Sequence, residues 1–140
     1  MQMRPNIHFA GNARDALALY QAALGGDAEI IAFAGSPVAS DVPPDWGDRV
    51  LYASLRTPFG AIDLMDAPPG RELPSGGNVA IALDVDDEER ARAIFTTLSE
   101  RGEIFMPFGP TFWARRFGML ADRFGVRWLI GVPVAEASRV

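Results

Sequence analysis

The sequence predicts an α+β protein made of two tandem βαβββ modules, whose curved mixed sheet surrounds a cleft. Three observations predict it. Residues 59–68, FGAIDLMDAP, share Phe, Gly, Leu and Pro at identical spacing with residues 124–133, FGVRWLIGVP. Around each copy the same order of elements recurs, strand, helix, strand and hairpin. Between the halves lies APPGRELPSGGN, crowded with Pro and Gly as a joint is. The first module then covers about 4–67, the joint about 67–77 and the second module about 78–133, all within one domain.

Each element has a local reason. PNIHFA alternates as a strand, with Ile7 and Phe9 on one face and His8 on the other. Asn12 is placed to cap a helix, and Asp15 lies in its first turn, where the helix dipole favours negative charge. Ala13, Ala16, Leu17, Tyr20 and Leu24 recur at helical spacing, so residues 13–24 form an amphipathic helix that Gly25 and Gly26 end. AEIIAFA is a strand, GSPVASDVPPDWGD a loop, and RVLYASLR, TPFG and AIDLMD a hairpin. In the second half VAIALDV is a strand. Asp86 is the expected cap of the next helix, with Glu89 at the capping-box position. Ala91, Ile94, Phe95 and Leu98 form that helix's apolar face, and Gly102 ends it. EIFMPF is a short strand, and ARRFGMLAD and VRWLIGV form the second hairpin. The longer first loop accounts for the extra residues between helix and hairpin in the first half. One module covers only one sheet face with its helix, so pairing two modules around a cleft is the expected solution, and such clefts hold small molecules.

Composition narrows the function. A hydrophobic share of 49% and a charged share of 22% are those of a globular chain. There is no cysteine, which excludes disulfides, thiolate metal sites and a cysteine nucleophile, and makes a reducing, cytoplasmic setting the expectation. No apolar run approaches the roughly 20 residues that cross a bilayer, and Asn12, Arg14 and Asp15 interrupt any signal-peptide core, so no membrane partner is expected. Thirteen basic against 18 acidic residues give a net charge of −5. The nearest thing to a basic face, Arg115, Arg116, Arg123 and Arg127, is interleaved with apolar residues, so no nucleic acid is expected either. No nucleotide-binding fingerprint or Ser/His/Asp motif occurs.

FAGNARDALALYQAALGG, GDRVLYASL and FWARRFGMLADRFGVRWLI carry a resemblance that spans essentially the whole chain. They resemble the vicinal oxygen chelate superfamily of glyoxalase I, bleomycin-resistance proteins and extradiol dioxygenases, and more narrowly its PhnB-like branch. The resemblance implies a glyoxalase-like fold and a homodimer. In the metal-using branches it also implies four side chains, mostly His and Glu, around a divalent ion. Those positions fall here on Pro5, Leu64, Ala80 (or Asn78 with a shifted register) and Leu129. Their side chains are not metal donors, Asn78 apart, and Tyr52 stands where PhnB-like relatives often carry His. No metal site and no cofactor are therefore predicted. The methyltransferase label used in this branch finds no methyl-donor site in these residues.

The candidate ligand-binding residues are Trp46, Tyr52, Leu64, Trp113, Phe117 and Leu129. Trp46 lies in a polar loop with little core to join, which suits a lid or an interface anchor. The acidic net charge and the aromatics suit a flat cationic or aromatic ligand. The candidates for proton transfer or ligation are His8, Asp63 and Asp66. His8 is favoured as structural, and both aspartates as edge-facing or strand-end charges. Asp63 adjoins Leu64, so a register shift of one residue would exchange them. Turnover is left open. A metal-dependent lyase, isomerase or dioxygenase-type enzyme is one alternative, and a ligand-free dimeric module is another.

Overall fold

The computed structural model describes residues 1–74 and 77–134; residues 75–76 of the joint and residues 135–140 lie outside it. The chain divides into two compact units, Met1–Pro74 and the residues from Ser75 onward.

In the first unit β1 (Asn6–Phe9) leads into α1 (Ala13–Leu24), followed by β2 (Asp27–Ala32), β3 (Val50–Thr57) and β4 (Gly60–Asp66). The strand order is β1-β4-β3-β2, with β1 parallel to β4 and the other pairs antiparallel. The second unit repeats the plan with β5 (Ile81–Asp84), α2 (Glu88–Ser99), β6 (Glu103–Gly109), β7 (Ala114–Ala121) and β8 (Arg127–Pro133), ordered β5-β8-β7-β6. The expected loop 35–48 holds two short 3₁₀ turns, Ala39–Asp41 and Pro44–Trp46. Its Phe33–Arg49 flank is tied together by the backbone bonds Phe33 N to Arg49 O and Ala34 N to Gly47 O.

Helix α1 has the predicted bounds, but its cap comes from elsewhere. The Asn12 side chain makes no capping bond. Asp66, at the end of β4, instead accepts from Gly11 N at 2.9 Å and Ala13 N at 3.0 Å through Oδ1, and from Val50 N at 2.8 Å through Oδ2. One carboxylate thus joins the helix entry to two strands. Helix α2 is capped by Asp87, which accepts from Glu89 N, rather than by Asp86.

Both helices return to their sheets through a glycine held against a strand. A Cβ on Gly26 (φ 96°) would drive into the Arg56 carbonyl, and one on Gly102 into the Ala121 carbonyl. The two contacts are equivalent, the helix-to-strand turn lying on the last residues of the following hairpin strand. This supports the repeat more firmly than the shared FG words do.

The hairpin turns differ. Thr57 pairs with Gly60, leaving two residues between, whereas Ala121 pairs with Arg127, leaving five. Asp122 stabilises the longer turn, accepting from Phe124 N and Val126 N through Oδ1 and from Trp128 Nε1 through Oδ2. Gly60 therefore opens a strand while Gly125 sits inside a turn, and the two copies of the repeated word meet their sheets with opposite parity.

Candidate functional site

In each unit the helix covers one face of the sheet; His8, Tyr52, Asp63, Phe117 and Leu129 fall on the other, whereas Leu64 and Asp66 do not. In the first unit the helix face carries Leu55, Ile62, Leu64 and Asp66. The antiparallel partners Ala53 with Leu64 and Leu55 with Ile62 share that side, and Asp66 reaches the start of α1 from it. Leu64 is wholly buried there. It is not a ligand-facing residue, because strand alternation turns its neighbour Asp63 to the opposite face instead.

Asp63 and Asp66 are not edge charges. β4 lies between β1 and β3, and the two carboxylates are 4% and 1% exposed. Both Asp66 oxygens are engaged by backbone amides, so its role is structural and it is not a free general base. Asp63 differs. Its Oδ2 accepts from Arg4 Nε at 2.6 Å, while Oδ1 is buried and accepts no hydrogen bond. Arg4 also places Nη2 at 3.4 Å from the Tyr52 hydroxyl. The Tyr52 oxygen and then Asp63 raise the guanidinium pKa above its ordinary value, so Arg4 stays charged until strongly alkaline pH. His8 projects from β1 on this same face, opposite Ile7 and Phe9 as its alternation predicts, with Met65 as its neighbour in β4.

Trp46 has more company than its polar loop suggests. The Arg49 guanidinium lies 3.9 Å from the centre of its ring, and Phe33 meets it edge-on at 5.8 Å. The ring thus closes the flank of the first unit beside buried Phe33.

In the second unit a Cβ on Gly118 would come within 2.5 Å of the Phe95 ring in α2, which fixes the helix face. Gly118 pairs with Ile130 and Leu120 with Trp128, so those residues face the helix. Phe117, Met119, Arg127 and Leu129 take the other face. Trp113 touches Phe117 at 5.3 Å and Phe112 at 4.8 Å, both edge-on, so the predicted Trp113 and Phe117 are brought together at the start of β7. Arg115 and Arg116 are both engaged by protein. Arg115 donates to the Pro133 and Asp86 carbonyls, and Arg116 Nε lies 2.5 Å from Glu88 Oε1.

Leu129 lines a cavity of about 200 Å³ on the second unit. Its wall includes Val79, Ala80, Phe105, Met119 and Arg127. Sequence reasoning missed Phe105, Met119 and Arg127 as site residues. Met119 and Arg127 had a signal, since each shares its sheet face with Leu129. Phe105 had none, because it is an inserted residue: Ile104 pairs with Leu120 and Met106 with Met119, leaving Phe105 as a β-bulge. Bulges redirect side chains beside sites. Here the Phe105 ring lies under the Arg127 guanidinium at 4.9 Å.

The side chains at the positions that the resemblance assigns to metal ligands are mostly hydrocarbon. Ala80 and Leu129 line the cavity with hydrocarbon, Asn78, the alternative to Ala80, lines it with an amide, Pro5 offers no side-chain donor, and Leu64 faces the helix. Among the described residues no three His, Cys, Asp or Glu side chains converge as a metal site. No helix there is long and apolar enough to cross a membrane.

Comparison with known proteins agrees with this architecture. Protein YjdN of Escherichia coli (strain K12) is 34% identical over 150 residues, spanning 99% of this chain and 100% of that one. The crystal structure of protein PA1353 from Pseudomonas aeruginosa is 37% identical, with a TM-score of 0.86 over 95% of this chain and 98% of that one. A Bacillus cereus PhnB protein, described as a putative 3-demethylubiquinone-9 3-methyltransferase, shares the fold at 20% identity and a TM-score of 0.76, over 94% of this chain and 99% of its own. The family described as the Glyoxalase/Bleomycin resistance protein/Dioxygenase superfamily matches residues 7–130, and the chain belongs to it.

Proposed function

We propose that this protein binds a small organic molecule on the helix-free face of its second unit, by apolar and aromatic contact and without a resident divalent metal. The cavity beside Leu129 carries the reading. At about 200 Å³ it is small and suits a fragment-sized ligand, and its wall is mostly apolar with Asn78 and Arg127 as polar groups, the kind of lining small-molecule sites share. Ala80 and Leu129 support the metal-free part, since hydrocarbon stands where the resemblance places electron donors. Trp113 and Phe117 flank the same face. The homodimer that the resemblance implies belongs to this reading, and the second copy has apolar edge strands to cover, with Ile30 and Ile31 on β2 and Ile104 on β6 exposed.

Titration with a panel of planar aromatic compounds, cationic, neutral and anionic, tests it by calorimetry. Binding is expected from the wild type and a loss of at least tenfold from Leu129→Trp, whose larger side chain fills the cavity. Equal binding by the variant would remove the cavity from the account.

Asp63 favours a second reading. A buried carboxylate oxygen without a partner, on the same face as the single histidine, is the feature among the described residues that would let a metal-dependent lyase or isomerase recruit protein donors. Metal analysis of the purified protein separates the two. The metal-free reading expects no stoichiometric Ni, Zn, Mn or Fe, and such a metal, lost in His8→Ala, would replace it with the enzymatic one.

A further inference from the structure

The geometry points to an anionic ligand for the cavity beside Leu129: an aromatic or short aliphatic carboxylate whose apolar body enters the pocket and whose carboxylate pairs with Arg127. The inference rests on the binding reading above and specifies its chemistry. It also reverses the expectation of a cation drawn from net charge.

Three observations carry it. No acidic side chain lines the cavity, whereas Arg127 does. The described ion pairs use Arg4, Arg92 and Arg116, and none involves Arg127. The guanidinium is held over the Phe105 ring at 4.9 Å, at the residue that the bulge inserts. Stacking on an aromatic face fixes the plane of a guanidinium while leaving its edge N–H groups free. Those edges are the part that forks onto a carboxylate. The rest of the wall is apolar apart from the uncharged amide of Asn78, so it offers no charge to compete.

The acidic balance of the whole chain does not oppose this. At physiological ionic strength the Debye length is about 8 Å, so exposed carboxylates further away are largely screened. A cation within contact range of the ligand decides the sign. A planar cation would have to sit beside Arg127 at a cost in repulsion, whereas a carboxylate of the same shape gains a charge-assisted hydrogen bond.

Benzoate, benzamide and benzylammonium serve as probes, being nearly matched in shape and differing in charge. Each is titrated into the full chain while the Met119 methyl signal and ligand line widths are followed by NMR. Benzoate is expected to bind at least tenfold more tightly than benzylammonium, and more weakly as NaCl rises. Arg127→Gln is expected to weaken benzoate at least tenfold and leave benzamide unchanged. Arg127→Lys keeps the charge and is expected to retain part of the preference, and it serves equally if the glutamine variant folds poorly. Benzoate and benzamide binding alike, with both variants indistinguishable from wild type, would overturn the anion assignment while leaving the cavity as a site. Failure of all three probes to move the Met119 signal would count against the binding reading itself.

Discussion

Asp66→Ala is expected to lower the unfolding free energy by about 3–5 kcal/mol, seen as a fall in the urea midpoint with little change in slope. The wild-type carboxylate is 1% exposed and accepts from Gly11 N, Ala13 N and Val50 N. Alanine leaves these three amides facing a void, and each unsatisfied buried donor costs about 1–3 kcal/mol. The amide of Gly11 is only part-buried and recovers some of its loss from water, which sets the total below the simple sum. Asp66→Asn tests the cause. It keeps the volume and its Oδ1 can still accept from Gly11 N and Ala13 N, but its NH₂ then faces the Val50 N–H, so it should rescue part of the loss and not all of it. A loss under about 1 kcal/mol in Asp66→Ala would mean that helix α1 does not depend on this cross-strand cap.

Gly26→Ala should be comparably damaging, by about 3–5 kcal/mol, and Gly25→Ala provides its control. Both glycines have positive φ, 77° and 96°, so any side chain at either position meets the conformational penalty of about 1 kcal/mol. A Cβ on Gly25 has nothing within 4 Å, whereas one on Gly26 collides with the backbone carbonyl of Arg56. A backbone carbonyl in a paired strand cannot rotate aside as a side chain can, so the overlap must be relieved by moving α1 or β3. Paired thermal and urea melts of the two variants measure the difference directly. Equal losses would show that the turn yields freely and that the close approach is not a constraint.

How much of this was legible in the sequence follows from the range of the forces involved. Helix α1 was, because its bounds are set by apolar spacing and by glycines within one short segment. Its cap was not. Asp66 reaches Ala13 across 53 positions of chain, and nothing local distinguishes it from a solvent-facing aspartate at a strand end. Asp86 and Asp87 are chemically identical, and only the backbone entry angle into α2 selected the second. The repeated FG words gave the modular plan correctly, but the equivalence they implied between Leu64 and Leu129 does not hold. A five-residue turn in place of a two-residue one changes strand parity, so Leu129 faces the cavity while Leu64 is packed under a helix. Asp63, its neighbour, takes the helix-free face that the shared spacing had assigned to leucine. Trp46 was read as having little core to join because its sequence neighbours are polar, but Phe33 and Arg49 contact its ring, which is half-buried. The bulge at Phe105, and with it half of the Arg127 arrangement, has no sequence signature at all.

The most direct test of the central claim, an organic molecule held beside Leu129, is a methyl-labelled methionine spectrum recorded during titration with benzoate and benzamide. The chain has five methionines, and of these Met119 lines the cavity. The account predicts a saturable shift of the Met119 signal, shared at most by its cross-strand neighbour Met106, with Met1, Met3 and Met65 unmoved. A spectrum that stays unchanged with every probe, or one in which only Met65 responds, would contradict it.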